Sequence, residues 1–231
     1  MQWLTERNVN ILKLIVEEYI NTWELVWSKS LLKKHDLWVS PATVRNDMAK
    51  LEGLNLIFQP YHSAWRYPTN KWLRIFINYM MEQKPDYFIA PEHLNVWNNA
   101  NSIDSILHNI TYSLANTTWE ISFVFLEHDN ILKYSWISNF IDKNSKDLWD
   151  NLLNIVRVLE ERNTFIRFLN TLNVSKNVTV ILWEESKIPY LKDNSIILRR
   201  VEVFGQRWFI WLIWSLRMDY SFNISALRWV F

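Results

Sequence analysis

The spacing of apolar residues divides this chain into a helical first third and a mixed remainder. After Thr5-Glu6, an N-cap followed by a first-turn acid, Ile11, Leu12, Ile15, Tyr19 and Ile20 recur at helical spacing and predict a helix over residues 5–20. Ser28 can cap a second, short helix over 28–35, with Leu31 and Leu32 turned inward. Ser40-Pro41 is the clearest start signal in the chain, because the serine oxygen takes an orphan N–H and proline fixes φ where no donor is needed. The helix it opens runs from Pro41 to about Gly53, with Val44, Met48 and Leu51 as its core stripe. Residues 56–60 and 65–68 read as two short strands around the polar tip 61–64, and Thr69 opens a fourth helix.

After a linker at 82–86 the pattern changes. Residues 102–115 predict a helix with Ile103, Ile106, Leu107 and Ile110 inward, and 147–172 predict a long amphipathic one. Strands are expected over 121–126, 178–182, 196–204 and 209–213. Strands bracketing helices give an α+β or α/β domain, so the chain divides into an N-terminal domain, 1–82, and a second domain, 83–231.

Charge sharpens the reading of the first domain. The net charge of the chain is only +1, yet residues 28–74 carry eight basic residues (Lys29, Lys33, Lys34, Arg45, Lys50, Arg66, Lys71, Arg74) against Asp36, Asp47 and Glu52. A basic island on a near-neutral chain fits a local polyanion-binding surface. Three helices, the third strongly capped, followed by a basic two-stranded wing, make a winged helix-turn-helix. Thr43, Asn46 and Lys50 share a stripe of the third helix, with Arg45 beside it, and could reach phosphates and base edges in a major groove.

Other chemistries lack their residues. There is no cysteine, which excludes disulfides and thiolate sites and fits a reducing, cytoplasmic compartment. The five histidines are scattered without ligand spacing, and no phosphate-binding glycine loop occurs, so no metal, cofactor or catalytic site is expected. Glu127-His128-Asp129 reads as a polar turn after a strand, and Trp183-Glu184-Glu185 as a loop. The first residues hold charges and no long apolar stretch, so no signal peptide is expected. The longest apolar run, residues 208–214, falls well short of the ~20 needed to cross a bilayer, so no membrane partner is expected.

The composition has one anomaly, fifteen tryptophans against two glycines, Gly53 and Gly205, where globular chains carry about 7% glycine. Trp23, Trp27, Trp38 and Trp65 stand at turn-like positions, where a positive φ is often required and glycine meets no steric cost. The codon UGA is read as tryptophan in one genetic code and as glycine in another. Most of these tryptophans are therefore expected to stand for glycine.

With glycine in those places, INTWELVWSKSLL, LWVSPATVRNDMAKLE, FQPYHSAWRYPTNKWLR and WSLRMDY resemble the HrcA family of heat-inducible transcription repressors. Trp23, Trp27, Trp38, Trp65 and Trp72 each fall where that family has glycine. The likeness is dense over residues 4–80 and returns near the C-terminus, where Trp208, Trp211 and Trp214 fit a glycine-spaced signature ending in RMDY. The chain departs from the family at Asn55 (glycine in relatives), at Tyr61-His62 (His-Thr) and at Ser215 and Leu216 (Pro and Thr). Asn55 is the mildest change, asparagine being the next-best left-handed residue.

The resemblance implies a fold of α+β class: an N-terminal winged helix-turn-helix followed by a GAF-like α/β domain whose dimerising insertion is reduced or missing. It implies a homodimer that binds an inverted-repeat operator in double-stranded DNA upstream of chaperone operons, represses them, and is released on heat stress. The chaperonin is a further expected partner, and no enzyme activity is expected. Thr43, Arg45, Asn46 and Lys50 are assigned to the major groove, Ser28, Lys29 and Ser40 to phosphates at helix N-termini, and Ser63 and Arg66 to the wing. Two other readings stay open: a regulator whose GAF-like half senses a small molecule, and a winged helix that docks a protein.

Overall fold

The computed structural model describes residues 4–22, 28–35, 37, 39–59, 67–82, 101–136, 153–157, 159–172, 177–186, 188, 191, 194–216 and 218–230. They form two compact units, Met1–Gln83 and Lys84–Phe231. The expected linker at 82–86 lies almost wholly outside the described residues, as does the expected wing tip 61–64.

The first unit is three helices, a short ladder and a fourth helix: α1 (Glu6–Thr22), α2 (Ser28–Lys34), α3 (Pro41–Gly53), β1 (Ile57–Phe58), β2 (Tyr67–Pro68) and α4 (Asn70–Glu82). α1 starts where Thr5 and Asn8 cap each other. The Asn8 N–H donates to Thr5 Oγ1 at 3.2 Å and the Thr5 N–H to Asn8 Oδ1 at 3.4 Å. Ile11, Leu12, Ile15 and Val16 of α1 are fully buried, as are Val44, Met48 and Leu51 of α3, and both α1 and α2 pack on α3. α3 ends in a Schellman turn: Asn55 sits at φ 57°, its N–H donates to the Glu52 carbonyl, and the Leu56 N–H donates to that of Leu51. β1 and β2 then pair antiparallel, Ile57 opposite Pro68. The Thr69 hydroxyl caps α4 by accepting the Trp72 N–H, and it donates to the carbonyls of Asn55 and Leu56, which ties the end of the ladder to the turn after α3.

The second unit is built on an antiparallel five-stranded sheet of order β4-β3-β7-β6-β5. Its strands are β3 (Ile121–Leu126), β4 (Ile131–Ser135), β5 (Thr179–Leu182), β6 (Asn194–Val203) and β7 (Gln206–Ser215). α5 (Ile103–Thr118) and α8 (Tyr220–Trp229) pack together and on one face of the sheet. On the other face Phe123, Phe125, Ile196, Leu198, Phe209, Trp211 and Ile213 form one core with Ile155 and with Phe165 and Leu169 of α6 (Arg162–Thr171). Both faces are covered, so β3 is buried at all six positions and reads as an unbroken apolar run, ISFVFL.

Four sets of polar bonds tie the layers of this sandwich together. Ser122 Oγ donates to the Thr111 carbonyl, joining β3 to α5. Tyr220 OH contacts Ser195 Oγ and the Leu216 carbonyl, each at 3.1 Å. Asn223 Nδ2 of α8 donates to Glu120 Oε1 at 2.9 Å, with both residues buried. Arg199 Nη1 donates to the Leu227 and Arg228 carbonyls at 2.8 Å and so closes the C-terminal end of α8. Burial, and secondly the nearby Arg228, lowers the Arg199 pKa from its usual value.

Two elements of this half are additions to the sequence reading and two expectations need correction. β4 was not anticipated, because an edge strand with half-buried residues and a central Lys133 carries little period-2 signal. α8 was not anticipated either, although Asp219 caps it by accepting the Phe222 N–H at 3.0 Å. The long helix expected over 147–172 is divided among the described residues. Residues 153–157 and 159–160 are helical, a turn stands at Glu161, and α6 follows it. Trp183-Glu184-Glu185 belongs to a one-turn helix, α7 (Trp183–Ser186), in which the Glu185 carboxylate accepts the Leu182 N–H at 3.0 Å.

Removing the Asn223 amide should leave the buried Glu120 carboxylate short of a donor. Asn223→Ala is expected to destabilise the fold by about 1–3 kcal/mol, measured as a lower denaturation midpoint in urea with unchanged slope. A midpoint equal to that of the parent would show that the pair contributes nothing.

Candidate nucleic-acid interface

α3 exposes one polar stripe, and its geometry follows from helical periodicity. At about 100° per residue, the buried residues Val44, Asp47, Met48 and Leu51 fall on one side, while Ala42, Arg45, Asn46, Ala49 and Lys50 face out. Arg45 and the pair Asn46 and Lys50 flank a strip of two alanines. Small side chains there let a helix approach a flat or grooved surface closely while the long ones reach past it. The first turn of α3 holds no acid and its last turn holds Lys50, so the positive end of the helix dipole at Ser40-Pro41 is not neutralised.

Thr43, seven residues before Lys50, lies at the Lys50 edge of that stripe. It is half-buried, its N–H donates to Ser40 Oγ at 3.1 Å, and the two hydroxyls lie 2.9 Å apart. Ser40 in turn acts as the helix cap, so these two hydroxyls serve the start of α3. Ser28 and Lys29 open α2, but their side chains are outside the described set, and Ser63 and Arg66 lie wholly outside it.

What holds the stripe outward is Asp47. Its carboxylate accepts from Arg7 Nε at 2.6 Å, from Arg7 Nη2 at 3.2 Å and from Asn8 Nδ2 at 3.0 Å. Asp47 is buried beside the apolar stripe, and Asn8 is 1% exposed. The hydrogen bond to Asp47, and then its charge, raise the Arg7 pKa above its ordinary value. These residues were missed as site determinants, yet a signal was present. Asp47 falls in the same i, i+3, i+4, i+7 series as Val44, Met48 and Leu51, and an acid on an apolar stripe needs a partner. A second tie joins α1 to the end of α2, where Glu18 pairs with Lys34 at 2.7 Å.

Outside this unit, His128 and Asp129 form an exposed pair at 2.7 Å in the turn between β3 and β4. Among the described residues no group of three or more His, Cys, Asp or Glu could hold a metal ion. No described helix is long and apolar enough to cross a membrane.

The described residues thus comprise a helical unit that presents a basic polar stripe and a mixed unit of helices and an antiparallel sheet. Comparison with known proteins gives the family. Residues 91–224, more than half of the chain, match the model described as HrcA protein C terminal domain. The chain belongs to the HrcA family. It is 39% identical over 119 residues to a protein of Clostridioides difficile (strain 630) named heat-inducible transcription repressor HrcA, covering 50% of this chain and 34% of that one. A protein of the same name from Streptomyces avermitilis is 40% identical over 124 residues, covering 52% of this chain and 36% of its own length. The matched stretch therefore spans only about a third of these relatives. A crystal structure of a hypothetical protein superposes with TM-score 0.80 at 17% identity, covering 98% of this chain and 96% of that one, which shows a shared fold.

The clamp and the stripe should separate in experiment. Asp47→Ala strips the acceptor from the buried Asn8 amide and should cost about 1–3 kcal/mol of stability. Arg45→Ala, at an exposed position, should stay within about 0.5 kcal/mol of the parent. Thermal melts of both variants check this, and an Asp47→Ala melt matching the parent would show that the clamp contributes nothing to stability.

Proposed function

We propose that this protein is a repressor of heat-shock chaperone genes. In this reading residues 1–82 are a winged-helix DNA-binding domain and 83–231 a GAF-like dimerisation and regulatory domain. The observation that carries it is the α3 stripe of Arg45, Asn46 and Lys50 around Ala42 and Ala49, held outward by the Asp47 clamp. Membership of the HrcA family and the relatives' name support the same reading. The antiparallel β1–β2 ladder after α3 supports reading residues 57–68 as the wing.

In mechanism, two copies of the chain would present two α3 helices to the two halves of an inverted repeat, so operator symmetry mirrors protein symmetry. Arg45, Asn46 and Lys50 enter the major groove, while Lys29 and the α3 N-terminus at Ser40 take phosphates. Ser28 belongs with the phosphate contacts, Thr43 stands at the edge of the groove, and Ser63 and Arg66 belong to the wing. The GAF-like domain pairs the two copies with little or no dimerising insertion. The protein acts in the cytoplasm, heat releases it from DNA, and the chaperonin is the partner that sets its activity.

The test is fluorescence anisotropy on a chaperone-operon inverted repeat, titrated with salt. Binding should weaken steeply as salt rises, because each neutralised phosphate releases counterions. Arg45→Ala should cost about 1–3 kcal/mol on the operator and little on scrambled DNA if Arg45 reads a base. Equal losses on both would make Arg45 a phosphate contact. Salt-independent binding would overturn the DNA-binding reading.

A further inference from the structure

We infer that positions 119 and 136, and with them the buried positions 72 and 211, are occupied by glycine in the protein as the cell makes it. Two independent features of the fold lead there, and neither depends on the proposed function.

The first is backbone conformation. Among the described residues, five other than glycine have a positive φ: Asn55 (57°), Trp119 (62°), Asn130 (53°), Trp136 (85°) and Phe204 (52°). Asparagine visits this region routinely, because its short polar side chain bonds locally. Phe204 shares a two-residue hairpin turn with Gly205 at φ 73°, and that turn type needs both central residues there. The other two are tryptophans, a residue type holding 15 of 231 positions. For a bulky side chain a positive φ is a genuine outlier.

Trp119 occupies the left-handed slot that ends α5, at ψ 20°, with its N–H on the Ala115 carbonyl. Glycine is the usual occupant of such a slot, since it has no Cβ to meet the following carbonyl. The indole gains little burial in return, being 65% exposed. Trp136 follows the last residue of β4 and is held by an exposed bond from Nε1 to Asn116 Oδ1 and by an edge contact with Trp119 at 5.1 Å. The two indoles lean on each other at the surface, above two backbone positions suited to glycine.

The second feature is polar satisfaction. Trp72 is 2% exposed and Trp211 1%, and among the described residues neither buried Nε1–H finds an acceptor. A buried indole N–H ordinarily has a partner, because leaving it bare forfeits its hydration. Glycine at either place removes the orphan donor. One codon, UGA, is read as tryptophan in one genetic code and as glycine in another. A single misreading thus explains the strained surface pair, the unbonded buried pair, and a chain with fifteen tryptophans and two glycines.

Peptide mass spectrometry on the protein isolated from its own cells decides the matter directly. Glycine at 119, 136, 72 and 211 is the expected result, and tryptophan at either 119 or 136 overturns the inference. Substitution in the full recombinant chain separately tests the inference of backbone strain at 119 and 136, neither of which is buried, so that either variant should still fold. Trp119→Gly and Trp136→Gly should each raise the folding equilibrium constant by about 5–30-fold, whereas Trp119→Ala and Trp136→Ala, which keep a Cβ, should not. Equal gains from glycine and alanine would overturn it. DNA binding is not the readout of either experiment, so a failed operator assay leaves this inference standing.

Discussion

One buried carboxylate governs how the first unit presents its polar face. Asp47 lies on the apolar side of α3 among Val44, Met48 and Leu51, where an unpaired charge could not persist. Its partners are Arg7 and Asn8, both in the first turn of α1. Because Asn8 also completes the cap that starts α1, a single set of bonds fixes where α1 begins and how α3 is rotated against it. Rotating α3 by one residue's worth of turn would carry Asp47 off its partners and bring Arg45 or Lys50 toward the core. The outward direction of Arg45, Asn46 and Lys50 is thus a consequence of what Asp47 must bond. Residues of this kind are easy to overlook, since they would touch no ligand.

Local chemistry explains which parts were legible in advance. Ser40-Pro41 marks the start of α3 and Asn55 its end, because both positions carry backbone requirements that few residues meet. β3, β5, β6 and β7 were legible as short apolar runs, though the sequence could not tell which side of each faced which helix layer. With both faces buried, the period-2 alternation that would assign them is absent. β4 and α8 were missed for the opposite reason, as short elements whose burial comes from neighbours far along the chain. In the candidate site, exposure of Arg45, Asn46 and Lys50 followed from periodicity. The half-burial of Thr43 and its hydroxyl contact with Ser40 did not.

The second unit solves a different problem. An antiparallel sheet with helices on both sides buries polar side chains where strands meet helix ends, and three of them bond specific neighbours across the layers. Ser122 reaches the α5 backbone, Tyr220 reaches Ser195, and Asn223 reaches Glu120. These bonds join α5, α8 and the central strands into one arrangement. Arg199 adds a cation at the C-terminal end of α8, where the helix dipole favours positive charge.

Glycine in place of tryptophan would affect the two units unequally. The stripe of Ala42, Arg45, Asn46, Ala49 and Lys50 contains no tryptophan, and neither does the clamp of Arg7, Asn8 and Asp47. Whatever stands at positions 72, 119, 136 and 211, those side chains keep their spacing and their partners. The packing of the second unit is more exposed to the answer, since Trp211 stacks on Phe123 at 5.1 Å and meets Phe165 at 5.4 Å in the centre of its core. With glycine at 211 the helix carrying Phe165 could settle closer to the sheet, because a backbone without a side chain admits a nearer approach. The residue identity at 211 therefore changes how the second unit is packed, while the polar stripe of α3 and its clamp contain none of these positions.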